Sequence, residues 1–137
     1  NPKSIPVEQL EEWTHRGLVD WLGSRSDIPQ LLKESRIVVL PSYREGLPKT
    51  LIEAASAGRP IVTTNTPGCR EVVQNGKNGI LVSVRNAEQL ADAIEKLIHD
   101  PELCRIMGRN GRQMAEQQFS IQRVVDETLD LYSELLR

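Results

Sequence analysis

Aromatic residues are scarce: one Phe, two Trp and two Tyr make up 4% of the 137 residues. A core built from this sequence is therefore mostly aliphatic. Cysteine is scarcer still, with Cys69 and Cys104 alone and no CxxC spacing. That argues against a structural zinc site or a disulfide framework and for free thiols in a reducing compartment. The two histidines, His15 and His99, lie far apart beside charged residues, without HExxH or Cys/His spacing, and read as surface positions. No metal site is expected. Charge of one sign is also missing, because 17 Lys plus Arg face 19 Asp plus Glu for a formal −2. No basic excess advertises nucleic-acid binding. The apolar runs, such as residues 37–40, fall far short of the roughly 20 residues that span a bilayer. Neither a signal peptide nor an initiator Met opens the chain, which begins Asn1-Pro2-Lys3-Ser4. A piece of a longer protein is expected.

What remains is globular: 39% hydrophobic and 26% charged, which excludes a disordered tail or a fibrous repeat. The length suits one domain, residues 1–137. Val7, Leu10 and Trp13 recur at helical spacing after Pro6. Residues 18–22 read as a strand stopped by Gly23, and Asp27 as the cap of a short helix. The continuous apolar run 37–40 predicts a strand covered on both faces. Residues 41–47 form a loop, Pro48 takes the first position of a helix, and Gly58 ends that helix. Strands follow at 60–63 and 79–82, with a short helical turn at 70–74 between them. Asn86 to Gln89 resembles a capping box ahead of the stripe Leu90, Ala93, Ile94, Leu97 and Ile98. Asp100-Pro101 starts another helix, which Gly108 and Gly111 are expected to break or bend. Ser120 opens a last helix with Ile121, Val124, Val125, Leu129 and Tyr132 on one face. Strands alternating with helices predict an α/β fold: a Rossmann-like parallel sheet with helices on both faces.

In such sheets ligands sit beyond the carboxyl ends of the strands, which points at loops 23–27, 41–48 and 64–70. The second is the richest. Glu45 precedes a helix and Glu53 lies eight positions later, on it. Gly46 lets a ligand approach the backbone. The helix start offers N–H groups at Lys49 and Thr50 and a positive dipole end, both of which favour a phosphate. Carboxylates suit polyhydroxyl ligands, since each can accept two hydroxyl hydrogen bonds. A diphosphate between two sugars would fit. Lys49, Glu53 and Ser56 also share one helix face, and from spacing alone an ordinary solvated stripe is the favoured reading.

The run from Pro41 through Ser42-Tyr43-Arg44-Glu45-Gly46-Leu47-Pro48-Lys49-Thr50-Leu51-Ile52-Glu53 to Ala54 closely resembles the Glu-x7-Glu signature of retaining glycosyltransferases of family 4, which have the two-domain GT-B fold. Residues 58–64, 67–71, 75–82 and Trp21-Leu22-Gly23 are also similar to that family, so the likeness covers nearly the whole chain. The version present here looks most like enzymes of bacterial capsule, lipopolysaccharide and lipid-linked oligosaccharide synthesis. The resemblance implies a donor-binding C-terminal domain. Glu45 would contact the transferred sugar, and Gly46 and Leu47 would approach sugar and phosphates. Pro48, Lys49 and Thr50 would hold the diphosphate at the helix start, and Glu53 the ribose. Gly23, Ser24 and Arg25 would border the base. A UDP-sugar is the first choice of donor and GDP-mannose the second. The acceptor would be a glycan or a polyprenyl-diphosphate sugar held by an N-terminal domain. That places the parent in the cytoplasm, at the membrane face. No cofactor or metal is required in this family.

One departure is large. The family's donor half begins with a strand bearing an Arg and, shortly after, a Lys, which neutralise the diphosphate. No matching pair stands here, so this chain alone is expected to be inactive. Three further residues have divided readings: Glu71 shapes the sugar pocket or caps its short helix, Arg44 faces the acceptor or solvent, and Cys69 sits in a pocket loop without a visible base. A receiver domain lacks its acidic strand ends here, and a dinucleotide-binding domain lacks its Gly-x-Gly-x-x-Gly. The remaining alternatives are a non-catalytic nucleotide-sugar-binding module and a GT-B epimerase or phosphorylase.

Overall fold

The computed structural model describes residues 5–43, 46, 48–118 and 121–136, with backbone alone for 121–127. Three strands, β1 (Val38–Leu40), β2 (Ile61–Thr64) and β3 (Gly79–Val82), form a parallel sheet in the order β1-β2-β3. Val38 faces Ile61 across one pair, and Ile61 faces Gly79 across the other. The helices are α1 (Val7–His15), α2 (Ile28–Glu34), α3 (Lys49–Ser56), α4 (Pro67–Val72), α5 (Ala87–Ile98), α6 (Pro101–Gln118) and α7 (Ile121–Leu135).

Successive strand residues point to opposite faces, so the sheet carries two cores. Ile61 enters one with Leu51, Ala55 and Val72. Its neighbour Val62 enters the other with Val82, Leu97 and Met107. Helices α3 and α4 close the first face and α5 the second, while α6 packs against both α3 and α5. Both thiols are buried within these cores.

Local signals formed most of these elements. Gly58 takes φ +71 after α3, and the Gly58 N–H donates to Ala55 O while the Arg59 N–H donates to Ala54 O. This is a Schellman stop, and it needs a residue tolerant of a left-handed backbone. Asn86 Oδ1 accepts from the Gln89 N–H at 2.9 Å, and Asp100 Oδ1 from the Leu103 N–H at 3.0 Å. The capping box is only half made, because Gln89 Oε1 instead accepts from the Ser83 N–H.

Five expectations are corrected. Residues 18–22 are no strand. No described strand accepts their backbone groups, and the segment is tied to the end of α1 by Leu18 N–H to Trp13 O and Trp21 N–H to Thr14 Oγ1. Its Leu18, Val19, Trp21 and Leu22 stay exposed. The run 37–40 is not covered on both faces: β1 is an edge strand, α5 packs over β2 and β3, and Val39 remains exposed. Pro48 is the N-cap of α3, one position before the helix proper. The short helix α4 starts at Pro67, not Arg70, because proline is best tolerated at a helix start. Gly108 and Gly111 do not break α6, which runs continuously through both.

Candidate functional site

Loop 41–48 leaves the carboxyl end of β1, and two threonines of β2 pin its start. Thr63 Oγ1 donates to Leu40 O at 2.8 Å, and Thr64 Oγ1 donates to Ser42 O. Pro48 is buried and starts α3, whose Leu51, Ala54 and Ala55 face the first core. That packing turns the opposite side of α3 outward. Lys49 and Thr50 are exposed there, and Glu53 is half-buried. The Lys49 ammonium lies 3.8 Å from the Glu53 carboxylate, one helical turn on.

The N-terminus of α3 has no side-chain cap and no acidic residue in its first turn. Its first N–H groups and dipole end are therefore not neutralised by a carboxylate of the helix itself. A Cβ built at Gly46 would meet nothing within 4 Å, so the space above the loop is open. Gly46, Pro48, Lys49, Thr50 and Glu53 thus lie at one sheet end. Arg44, Glu45 and Leu47 fall outside the described residues.

The third predicted group stands apart. Gly23 has φ +68 and open space around it, and Ser24 is exposed. Arg25 is engaged locally: Nε donates to Asp27 Oδ1 at 2.7 Å, and a terminal nitrogen to Oδ2. This pairing draws Asp27 away from capping α2, whose N-terminus has no side-chain bond. It also holds the Asp27 carboxyl below its ordinary value, chiefly through the Arg25 hydrogen bond. No hydrogen bond among the described residues joins 18–26 to the sheet.

The loop after β2 differs from its sequence reading. Cys69 is fully buried with its sulfur 3.3 Å from Thr63 Oγ1, so it lines no open pocket. Glu71 is exposed near the C-terminal end of α4 and cannot cap that helix, whose N-cap is Thr66. Arg70 instead braces the loop by donating to Asn65 Oδ1 at 2.9 Å. His15 and His99 are exposed as expected.

Sequence reading also missed a neighbouring feature. A cavity of about 450 Å³ opens beyond the strand ends between Tyr43, Thr64, Arg85 and Asn86. It borders the loop of Glu45, and none of the described donor candidates lines it. Only the short connection between Val82 and the Asn86 cap hinted at a constrained Arg85.

The family model described as "Glycosyl transferases group 1" matches residues 7–114. A Campylobacter jejuni N,N'-diacetylbacillosaminyl-diphospho-undecaprenol alpha-1,3-N-acetylgalactosaminyltransferase is 35% identical over 137 residues, covering 100% of this chain and 35% of its own. An Escherichia coli UDP-Gal:alpha-D-GlcNAc-diphosphoundecaprenol alpha-1,3-galactosyltransferase is 35% identical over 84% of this chain and 30% of its own length. This chain thus spans about a third of the length of the curated relatives it matches. Among solved structures, the Anabaena HepE protein in complex with UDP superposes with a TM-score of 0.86 at 29% identity, over 93% of this chain and 36% of that one.

Proposed function

The chain belongs to the group 1 glycosyl transferases, and on that premise we propose that residues 1–137 are the donor-binding part of a retaining, GT-B-type glycosyltransferase. The parent moves a hexose or N-acetylhexosamine from a UDP-sugar to a glycan or lipid-linked acceptor. The observation that carries this reading is the uncapped N-terminus of α3, with Lys49 on its first turn and Glu53 one turn further, at the carboxyl end of a parallel sheet.

In this reading the α3 N–H groups behind Pro48, at Lys49 and Thr50, hold the donor diphosphate. Glu53 accepts from the ribose hydroxyls. Glu45 positions the transferred sugar, with Gly46 and Leu47 against sugar and phosphates, and the backbone of Gly23, Ser24 and Arg25 borders the base. The bond from the anomeric carbon to the diphosphate oxygen breaks, and positive charge at the helix start stabilises the leaving group. Glu45 acts electrostatically on an oxocarbenium-like state; no second residue is placed as a nucleophile. Neither metal nor cofactor enters. An N-terminal domain binds the acceptor at the cytoplasmic membrane face. A further strand completes the sheet, which the unpaired edge of β1 and the exposed Val39 support.

A thermal-shift panel of UDP-, GDP- and ADP-sugars on the full-length protein tests the donor. Stabilisation by UDP-sugars is expected. A response to a GDP-sugar alone rejects the nucleotide assignment, and no response to any rejects donor binding. Isotope transfer to an acceptor by the same protein separates a transferase from a module that only binds.

A further inference from the structure

We propose that the cavity between Tyr43, Thr64, Arg85 and Asn86 is a second phosphoryl-binding site, separate from the donor diphosphate site at α3. Several observations meet there. Arg85 has φ +56, the one non-glycine residue with a positive φ among those described. A glycine or asparagine would suit that backbone with less strain. Strain retained at one residue points to a use for its side chain. The Arg85 guanidinium lies over the Tyr43 ring, 5.3 Å from its centre, and both side chains line the cavity.

Arg85 also pairs with no carboxylate among the described residues, whereas Arg25, Arg105 and Arg112 each hold one. Among the described residues no acidic side chain lines the cavity, and the one formal charge there is positive. Asn86 gives its Oδ1 to the Gln89 N–H, which leaves its amide donors free for a ligand. Thr64 is held by its bond to Ser42 O, so this wall is fixed by the same contact that pins the loop of Glu45. A planar fork of N–H groups with amide donors beside it matches phosphate oxygens.

Two sources could supply such a group, the donor or a phosphorylated acceptor. Among the described residues the cavity shares none with the proposed donor set, and this favours the acceptor. Only that choice of source rests on the transferase reading; the phosphoryl site itself does not.

Calorimetry of the full-length protein with inorganic pyrophosphate, with and without saturating UDP, tests the proposal. Arg85→Gly removes the cation and suits the backbone. Asn86→Asp keeps a good N-cap and adds a negative charge to the cavity. Pyrophosphate is expected to bind in the presence of UDP, and each substitution to weaken that binding about tenfold or more, as loss of a charged hydrogen bond implies. UDP affinity stays unchanged in both, and Arg85→Lys loses less. Unaltered pyrophosphate affinity in Arg85→Gly and Asn86→Asp overturns the site. Displacement of all pyrophosphate by UDP overturns its separateness from the donor. Failure of UDP to bind at all sinks the transferase reading, while the two substitutions still decide the cavity.

Discussion

Gly108 of α6 lies directly against the carbonyl of Gly58, so that a Cβ at position 108 would come within 2.1 Å of Gly58 O. The contact brings α6 onto the Schellman turn that ends α3. Gly108→Ala must push the two backbones apart and is expected to cost about 1–3 kcal/mol, as overpacking does. A Cβ at Gly111, one turn on, would meet Asn78 and Ala55 at ordinary distances of 3.5–3.7 Å. Gly111→Ala is therefore expected to be neutral or to stabilise by up to about 1 kcal/mol through helix propensity. Urea denaturation of both variants checks the contrast; equal effects would remove the close-packing account.

The outer edge of β3 is closed by side chains. The Leu81 N–H donates to Asn75 Oδ1 at 2.9 Å and the Ser83 N–H to Gln89 Oε1 at 2.8 Å. Such cover blunts edge-to-edge association. Replacing both with Ala is expected to speed hydrogen exchange at Leu81 and Ser83 and to lower the concentration at which the protein aggregates. Unchanged exchange at those two amides counts against this role.

Asp27 and Glu102 are held below their ordinary values of 3.8 and 4.5, each first by a hydrogen bond from an arginine, Arg25 and Arg105. A carboxyl with a depressed folded-state value adds stability above its unfolded value and loses it as pH falls through the folded one. Carboxyl NMR titration is expected to place both midpoints below those ordinary values. Arg25→Ala and Arg105→Ala should return them, and thermal stability should then decline less steeply on acidification below about pH 4. Because the groups are exposed, added salt should shrink the difference.

Glu53→Ala is expected to weaken UDP affinity about tenfold or more, since a carboxylate accepting hydroxyl bonds is worth about 1.5–3 kcal/mol. Glu45→Ala should weaken it less. Folding stability should change little, because the Lys49 pair of Glu53 is a solvent-facing i,i+4 contact. Equal UDP affinities of the two variants in calorimetry remove the ribose assignment.

Much of the fold was legible along the chain because it depends on near neighbours. The Gly58 stop, the Asn86 and Asp100 caps and the helix at 7–15 each follow from contacts within a few residues. So did the candidate donor residues, since Glu53 and the start of α3 are placed by one helix and the loop before it. Other features needed partners far off in sequence. Helix propensity argues against glycine at 108, yet that glycine is what admits the backbone of Gly58. The apolar segment 18–22 reads as a strand, but a strand exists only where a neighbour accepts its hydrogen bonds. Arg85 reads as an ordinary surface cation until folding sets it over Tyr43. The sequence by itself determined which segments are helix and turn wherever local hydrogen bonding suffices. Only the tertiary structure decided which glycine packs, which apolar run pairs and which arginine faces a cavity, because those depend on contacts between residues tens of positions apart.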